Sequence, residues 1–239
     1  MIAKMIKLEC ITNLHVGNGE ENYNIIDNEV ERDPVTGHPT INSSGVKGAL
    51  REYFVKNSLA YVDELFGAEG KGDKSSSPGQ LKVLCADMIA MPVRASKGEA
   101  AFYMVTTAAM LEKFSYNMET LLGVPVKMDE KEVSQIAVEG FELSKAKTLF
   151  DKDLHVMGKE DFDKLSLPVM ARNHLENGIS DNLWYEEVVP YKSIFCFAVL
   201  AENEDVMKHF TDGVDGKVVQ FGGKASIGYG LCKVTVLEA

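Results

Sequence analysis

The sequence predicts an α+β fold in which helices lie on a largely antiparallel sheet, the ferredoxin-like class being the nearest common solution. Three observations carry that expectation. Apolar and polar residues alternate at both ends of the chain: Ile6, Leu8 and Cys10 against Lys7 and Glu9, and Cys232, Val234 and Val236 against Lys233 and Thr235. This is the period of half-buried strands. Residues 194–200, IFCFAVL, form a continuous apolar run rich in branched and aromatic side chains, as a central strand covered on both faces requires. Between them, Val46, Ala49, Leu50, Tyr53 and Phe54 recur at helical spacing.

Taken in order, a strand opens the chain at 6–10, and the first helix starts near Ser44 or Gly45, after the cap candidates Asn42, Ser43 and Ser44. The stretch 67–80, GAEGKGDKSSSPGQ, joins glycine, serine, proline and charge without an apolar anchor and reads as a mobile surface insertion. Strands are expected at 81–91 and 100–106. A second helix carries Leu111, Phe114, Met118, Leu121 and Leu122 and stops at Gly123 and Pro125. Residues 140–182 mix short apolar groups with charge and Pro168 and show no sustained period, so an irregular insertion is expected there. The central strand and the alternating last strand close the fold.

A chain of 239 residues, 45% of them hydrophobic, can fill one large core. Cys10, Cys85, Cys196 and Cys232 lack the close spacing of zinc or redox motifs and read as small buried residues of a reducing compartment. No apolar run approaches the ~18 residues of a membrane span, and Met1–Lys7 lacks a signal-peptide core. A cytoplasmic protein without membrane contact is expected. The formal charge of −11 argues against a free nucleic-acid binder, because affinity for a polyanion comes largely from Lys and Arg. Acidic residues gather in 20–33, 129–139, 151–163 and 202–215, whereas 44–57 carries Lys47, Arg51 and Lys56 against Glu52 alone. Any nucleic-acid path is therefore local.

Three groups join glycine to polar or basic residues: His15-Val16-Gly17-Asn18-Gly19, then INSSGVKGALR from Ile41 to Arg51, and GGKASIGYG from Gly222 to Gly230. Lys47 and Arg51, four apart on a helix, leave one face near a positive helix N-terminus, which suits consecutive phosphates as well as a plain solvated face. The third group is no Walker A loop, since Val218 stands where the first glycine belongs and Ala225 follows Lys224. Its glycines suit either a phosphate cradle or a tight turn against the sheet. Asp27 alone reads as a turn former beside Asn28, and His15 as a hydrogen-bonded structural residue.

In order, these pieces resemble one family. LHVGNGEENYNIIDNEVERDPVTGHPTINSSGVKGALR is similar to the N-terminal signature of the RAMP superfamily, and GGKASIGYG to its C-terminal glycine-rich loop. Asn182-Leu183-Trp184-Tyr185-Glu186-Glu187 before Val188-Val189-Pro190 resembles the late acidic segment of the fourth subunit of type III-B CRISPR (Cmr) complexes, with the equivalent type III-A backbone subunit as runner-up.

The resemblance implies a single RAMP domain over 1–239. It would be a modified ferredoxin-like (RRM-like) palm with insertions around 67–80 and 140–192, the latter including a helical or irregular part and a thumb hairpin. It implies copies stacked in a helical array with other Cmr subunits along a guide RNA, held by its backbone, while base pairing selects the target RNA. Guide contacts would fall on Ser44, Lys47, Gly48 and Arg51, on Gly17 and Gly19, and on Gly222, Gly223, Lys224, Gly228 and Gly230. It further implies an endoribonuclease using Mg²⁺ or another divalent metal. Asp27 would be the catalytic, metal-associated carboxylate, with His15 and Glu186, or Glu187 in place of Glu186, as acid–base and supporting groups. Gly45, Asn42 and Ser43 depart from the family's pattern. A non-catalytic RNA scaffold uses the same loops and track. A metal-free processing nuclease acting alone would want a strongly basic chain, against which the charge counts.

Overall fold

The computed structural model describes residues 1–19, 26–68, 76–176 and 179–238. Strand β1 (Ile2–Cys10) is followed by β2 (Thr40–Ile41), helices α1 (Ser43–Lys56) and α2 (Val62–Phe66), and β3 (Gly67–Ala68) to β7: Ser77–Pro78, Leu81–Val83, Ala86–Lys97 and Phe102–Thr107. Then come α3 (Ala108–Asn117), β8 (Glu130–Val138), β9 (Phe141–Leu149), β10 (Lys152–Met157), α4 (Lys159–Phe162) and the hairpin β11 (Val169–Glu176) and β12 (Ile179–Glu187). The chain ends with β13 (Ile194–Ala201), α5 (Glu204–Val214), β14 (Val218–Gln220) and β15 (Leu231–Val236).

The strands predicted from alternation, β1 and β15, lie side by side in the main sheet. β1 pairs antiparallel with β15, Cys10 opposite Cys232, and on its other side with β13, Met5 opposite Ala198. β13 is apolar throughout because both of its faces are covered. Phe195, Phe197 and Val199 join Leu50 and Phe54 of α1 and Phe210 and Val214 of α5, while Ile194, Cys196 and Ala198 join Leu111 and Phe114 of α3. Helix α1 starts where the sequence places it, with Val46, Leu50 and Phe54 buried, although Asn42 caps it through its carbonyl and not its side chain. Helix α3 runs on through a π-turn, Met118–Leu122, and ends at Gly123 with a positive φ.

Within the region expected to be irregular over 140–182, β9 and β10 are regular strands, and β11 and β12 pair as a hairpin. The sheet runs β14-β15-β1-β13-β6-β7-β10-β9-β8, and β8 pairs back to β6, Ala95 opposite Val138, so five strands close into a ring. One pair, β7 with β10, is parallel, which makes the sheet mixed. Periodicity hides these strands for a physical reason. Gln135 takes φ 60° at a register shift, and the β9–β10 turn is made by Phe150 and Asp151 at φ 55° and 57°, with none of the Asn-Gly chemistry that announces such a turn. The acidic cluster 202–215 is likewise an amphipathic helix, α5, capped by Asn203 and burying Val206, Met207, Phe210 and Val214.

Of the insertion expected at 67–80, the flanks pair as β3 and β4, Gly67 opposite Pro78 and Ala68 opposite Ser77, and 69–75 lie outside the described residues. Among the described residues no helix is long and apolar enough to cross a membrane.

Candidate nucleic-acid interface

Four segments that are far apart in sequence meet at the base of the β11–β12 hairpin. Leu14 and Val189 exchange main-chain hydrogen bonds of 2.9 and 2.8 Å, Glu31 donates to the Val16 carbonyl at 2.7 Å, and the Glu187 N–H donates to the Asn28 carbonyl at 2.9 Å. The glycine-rich loop docks onto the same strip, with Gly223 N–H on the His15 carbonyl at 2.9 Å and Gly230 N–H on the Asn13 carbonyl at 2.8 Å. The segments of His15, Asp27, Glu186 and Lys224 are thus one assembly.

His15 is buried, and its Nδ1 lies 2.7 Å from the Glu187 carbonyl. A carbonyl only accepts, so Nδ1 carries the hydrogen and, in the neutral ring, Nε2 is left with the lone pair. A Cβ at Gly17 would come within 3.2 Å of Nε2, so the glycine keeps the approach to that nitrogen clear. Asp27 is exposed. Its Oδ2 accepts the Tyr185 N–H at 2.8 Å, while its own N–H donates to the Tyr185 carbonyl at 3.1 Å. His15 and Asp27 are therefore fixed to one strand at positions two residues apart, roughly 7 Å along its axis.

The two glutamates are engaged differently. Glu187 accepts Arg32 Nη2 at 2.6 Å and the Val30 N–H at 3.0 Å, which ties the Asp27 segment to the hairpin. Glu186 is 1% exposed and accepts Trp184 Nε1 at 2.7 Å, Lys224 Nζ at 2.8 Å and Arg172 Nε at 3.3 Å. Burial alone would raise its pKa. Hydrogen bonds from Lys224 and Trp184, the Lys224 charge and the Arg172 hydrogen bond outweigh burial and hold the carboxyl below its usual range. Arg172 also donates to the Tyr229 hydroxyl, its guanidinium 4.9 Å from the ring centre. Trp184 and Tyr229 lie within the segments that the sequence singled out, but Arg172 carried no signal, since its partner Tyr229 lies 57 positions away.

The glycine loop divides between two uses. A Cβ at Gly222 would lie 2.3 Å from the His15 carbonyl oxygen and one at Gly230 would lie 1.9 Å from that of Phe221, so these two are glycines because backbone packs against backbone. Gly223 and Gly228 are exposed, as are Gly17 and Gly19. Lys47 and Arg51 stand half-buried beside the inward stripe of α1, with Ser44 and Gly48 exposed near its start. A shallow cleft between Ala49, Tyr53 and Gln220 places α1 beside β14, which leads into the glycine loop. The structure thus brings His15, Asp27, Glu186 and the loop together and sets the α1 residues alongside.

Among the described residues no three His, Cys, Asp or Glu side chains are grouped to hold a metal ion. With Glu186 and Glu187 neutralised by cations, Asp27 offers a single carboxylate. That fits an ion held mainly by water and by phosphate oxygens of a bound nucleic acid, the usual habit of Mg²⁺.

The model of the RAMP superfamily matches residues 7–233. The chain is 25% identical to the CRISPR system Cmr endoribonuclease Cmr4 of Pyrococcus furiosus over 100% of this chain and 97% of that protein. It is similar in fold to a chain of a type III-B Cmr-beta complex bound to cognate target RNA, with TM-score 0.75, 20% identity and coverage of 99% and 97% of the two chains. It is also similar to oligomeric Cmr4 from Pyrococcus furiosus, with TM-score 0.67, 21% identity and coverage of 100% and 99%.

Proposed function

The chain belongs to the RAMP superfamily, and from that premise we propose that it is a backbone subunit of a type III-B CRISPR (Cmr) effector that holds guide RNA and cuts the paired target RNA. The observation that carries this reading is the convergence of His15, the exposed Asp27 and the cations Arg172 and Lys224 on the base of one hairpin. A full-length relative named as an endoribonuclease supports it.

The part of the sheet containing β1, β13 and β15, with α1 and α5, is read as the modified ferredoxin-like palm of a single RAMP domain, and β11–β12 as the thumb. Val169, Met170, Leu183 and Tyr185 on the thumb are exposed apolar groups, suited to a neighbouring copy in a stack. Guide RNA then follows α1 and the glycine loop. A chain of net charge −11 can do this because its cations are gathered where phosphates pass.

Cleavage of RNA needs a 2′-OH made nucleophilic, a phosphate held in line, and stabilisation of the charge that develops. The Asp27 carboxylate, fixed at Oδ2 by the Tyr185 N–H, orients the attacking hydroxyl or holds the metal. Mg²⁺ or another divalent ion, when bound, supplies electrostatic stabilisation of the phosphate oxygens. His15, with Nδ1 committed to a carbonyl, has Nε2 available to take or return a proton.

In complexes assembled with equal guide and target occupancy, Asp27→Ala and Asp27→Asn should each slow cleavage of labelled target RNA by at least about a hundredfold while guide binding stays within about twofold. Full-speed cutting by both variants removes this role and leaves a scaffold that holds RNA, and undiminished cutting in EDTA removes the metal.

A further inference from the structure

Glu186 is the most buried carboxylate at the site, and it is surrounded by donors from three directions. Trp184 lies on its own strand, Arg172 comes from β11, directly opposite Trp184 in the hairpin register, and Lys224 comes from the glycine loop. One carboxylate therefore faces two cations, and the cluster keeps a net charge of about +1. The two cations are not buried with it: the side chain of Lys224 is 39% exposed and that of Arg172 is 27% exposed.

Their donors are not exhausted either. Lys224 spends one N–H on Glu186, and Arg172 spends Nε on Glu186 and one terminal nitrogen on Tyr229, so among the described residues each retains N–H groups for an outside acceptor. The backbone around Lys224 points the same way. Lys224 takes a left-handed conformation, φ 63°, between Gly222 and Gly228, both also at positive φ. A lysine there costs on the order of 1 kcal/mol and persists where its surroundings dictate it. A Cβ at Gly228 would meet nothing within 4 Å, and one at Gly223 only the His15 carbonyl oxygen at 3.9 Å, which leaves the loop's outer face open to a close approach.

We propose that Glu186 is a positioning residue for RNA binding: it holds Lys224 and Arg172 together as a two-cation seat for a phosphate of the RNA backbone. Tyr229 supports the seat from behind by stacking on and bonding to Arg172. This inference rests on the RNA-binding reading and assigns Glu186 to the seat instead of to bond cleavage. Three of the roughly four lone-pair sites of the Glu186 carboxylate are taken by donors from within the protein. It also couples two elements, because the loop and the hairpin share one anion, so an RNA strand seated there reports the angle between them.

Plain electrostatics gives the opposite sign. Removing a negative charge beside a polyanion should tighten binding. If Glu186 positions the seat, Glu186→Gln should weaken it, because Lys224 and Arg172 lose the anchor that converges them.

The full-length chain is titrated with a fluorescently labelled single-stranded RNA across a series of salt concentrations. E186Q should bind about tenfold more weakly, and the slope of log K against log salt should shrink by ~0.7 for each phosphate that is no longer neutralised. Lys224→Ala should cost less in the E186Q background than in the wild type, as coupled residues do. Binding by E186Q as tight as or tighter than wild type, or an equal cost of Lys224→Ala in both backgrounds, overturns the proposal. Should E186Q fail to fold, Arg172→Gln and Lys224→Gln carry the test, and an unchanged salt slope in both overturns it. A wild-type chain that holds no RNA overturns the RNA-binding reading as well, which separates the two failures.

Discussion

Glu186 and Asp27 are carboxylates at the base of one hairpin, and their surroundings send them to opposite uses. Glu186 is enclosed, ionised and matched by cations, so its charge is spent inside the protein. Asp27 is exposed and fixed through one oxygen by a main-chain N–H, which leaves the other for a hydroxyl or a hydrated ion. Gly48 shows the same economy of space. It sits inside α1, where glycine costs roughly 0.5–1 kcal/mol relative to alanine, yet a Cβ there would meet nothing within 4 Å. Among the described residues nothing requires a glycine at that place. Under the proposed function the passing RNA backbone supplies the reason, and Gly48→Ala should then raise stability by about 0.5–1 kcal/mol in urea unfolding while weakening RNA binding severalfold. Stability gained with no loss of binding would show that no ligand approaches that turn.

The elements differ in how far sequence reveals them. β1, β13, β15, α1 and α3 were legible because each has one dominant environment, which writes a clean period into the residues. β8, β9 and β10 were not. The bulge at Gln135 and the β9–β10 turn at Phe150 and Asp151 rest on non-glycine residues at positive φ, and the ring these strands close includes the pairing of β8 back to β6. At the site, the motif segments were readable through their resemblance to a family, but Arg172 and Trp184 have meaning only once the hairpin sets them opposite each other.

Helix α5 shows an element whose packing overrides its composition. Gly213 lies in its last turn, where a Cβ would come 2.4 Å from Cζ of the buried Phe54 of α1. The glycine is what lets the two helices approach. Gly213→Ala gains helix propensity of about 1 kcal/mol but overpacks the contact by about 1–3 kcal/mol, so a net loss of up to about 2 kcal/mol is expected in chemical denaturation. Phe54→Leu added to that variant should recover part of it. An unchanged or raised midpoint for Gly213→Ala would mean that α5 can shift without cost.

At the scale of the whole molecule, a chain of net charge −11 has to meet a polyanion through a local set of cations. On the proposed RNA path, the long-range field repels the RNA, and the short-range contacts at α1 and the glycine loop attract it. These two terms respond to salt with different reach. Between about 0.01 M and about 0.15 M salt the Debye length contracts from about 30 Å to about 8 Å, which screens the repulsion between distant acidic faces and RNA first. Contacts within hydrogen-bond distance are screened much less, but they compete with counterions once formed. Association of RNA with the free chain should therefore become faster as salt rises through this range, while dissociation also becomes faster and net affinity falls. A basic RNA-binding domain behaves differently, because its field steers the ligand in and added salt slows its association. Stopped-flow measurement of both rate constants over the salt series distinguishes the two. Association that slows throughout would mean that the local cations outweigh the rest of the surface even at long range, and that the acidic faces play no part in the encounter.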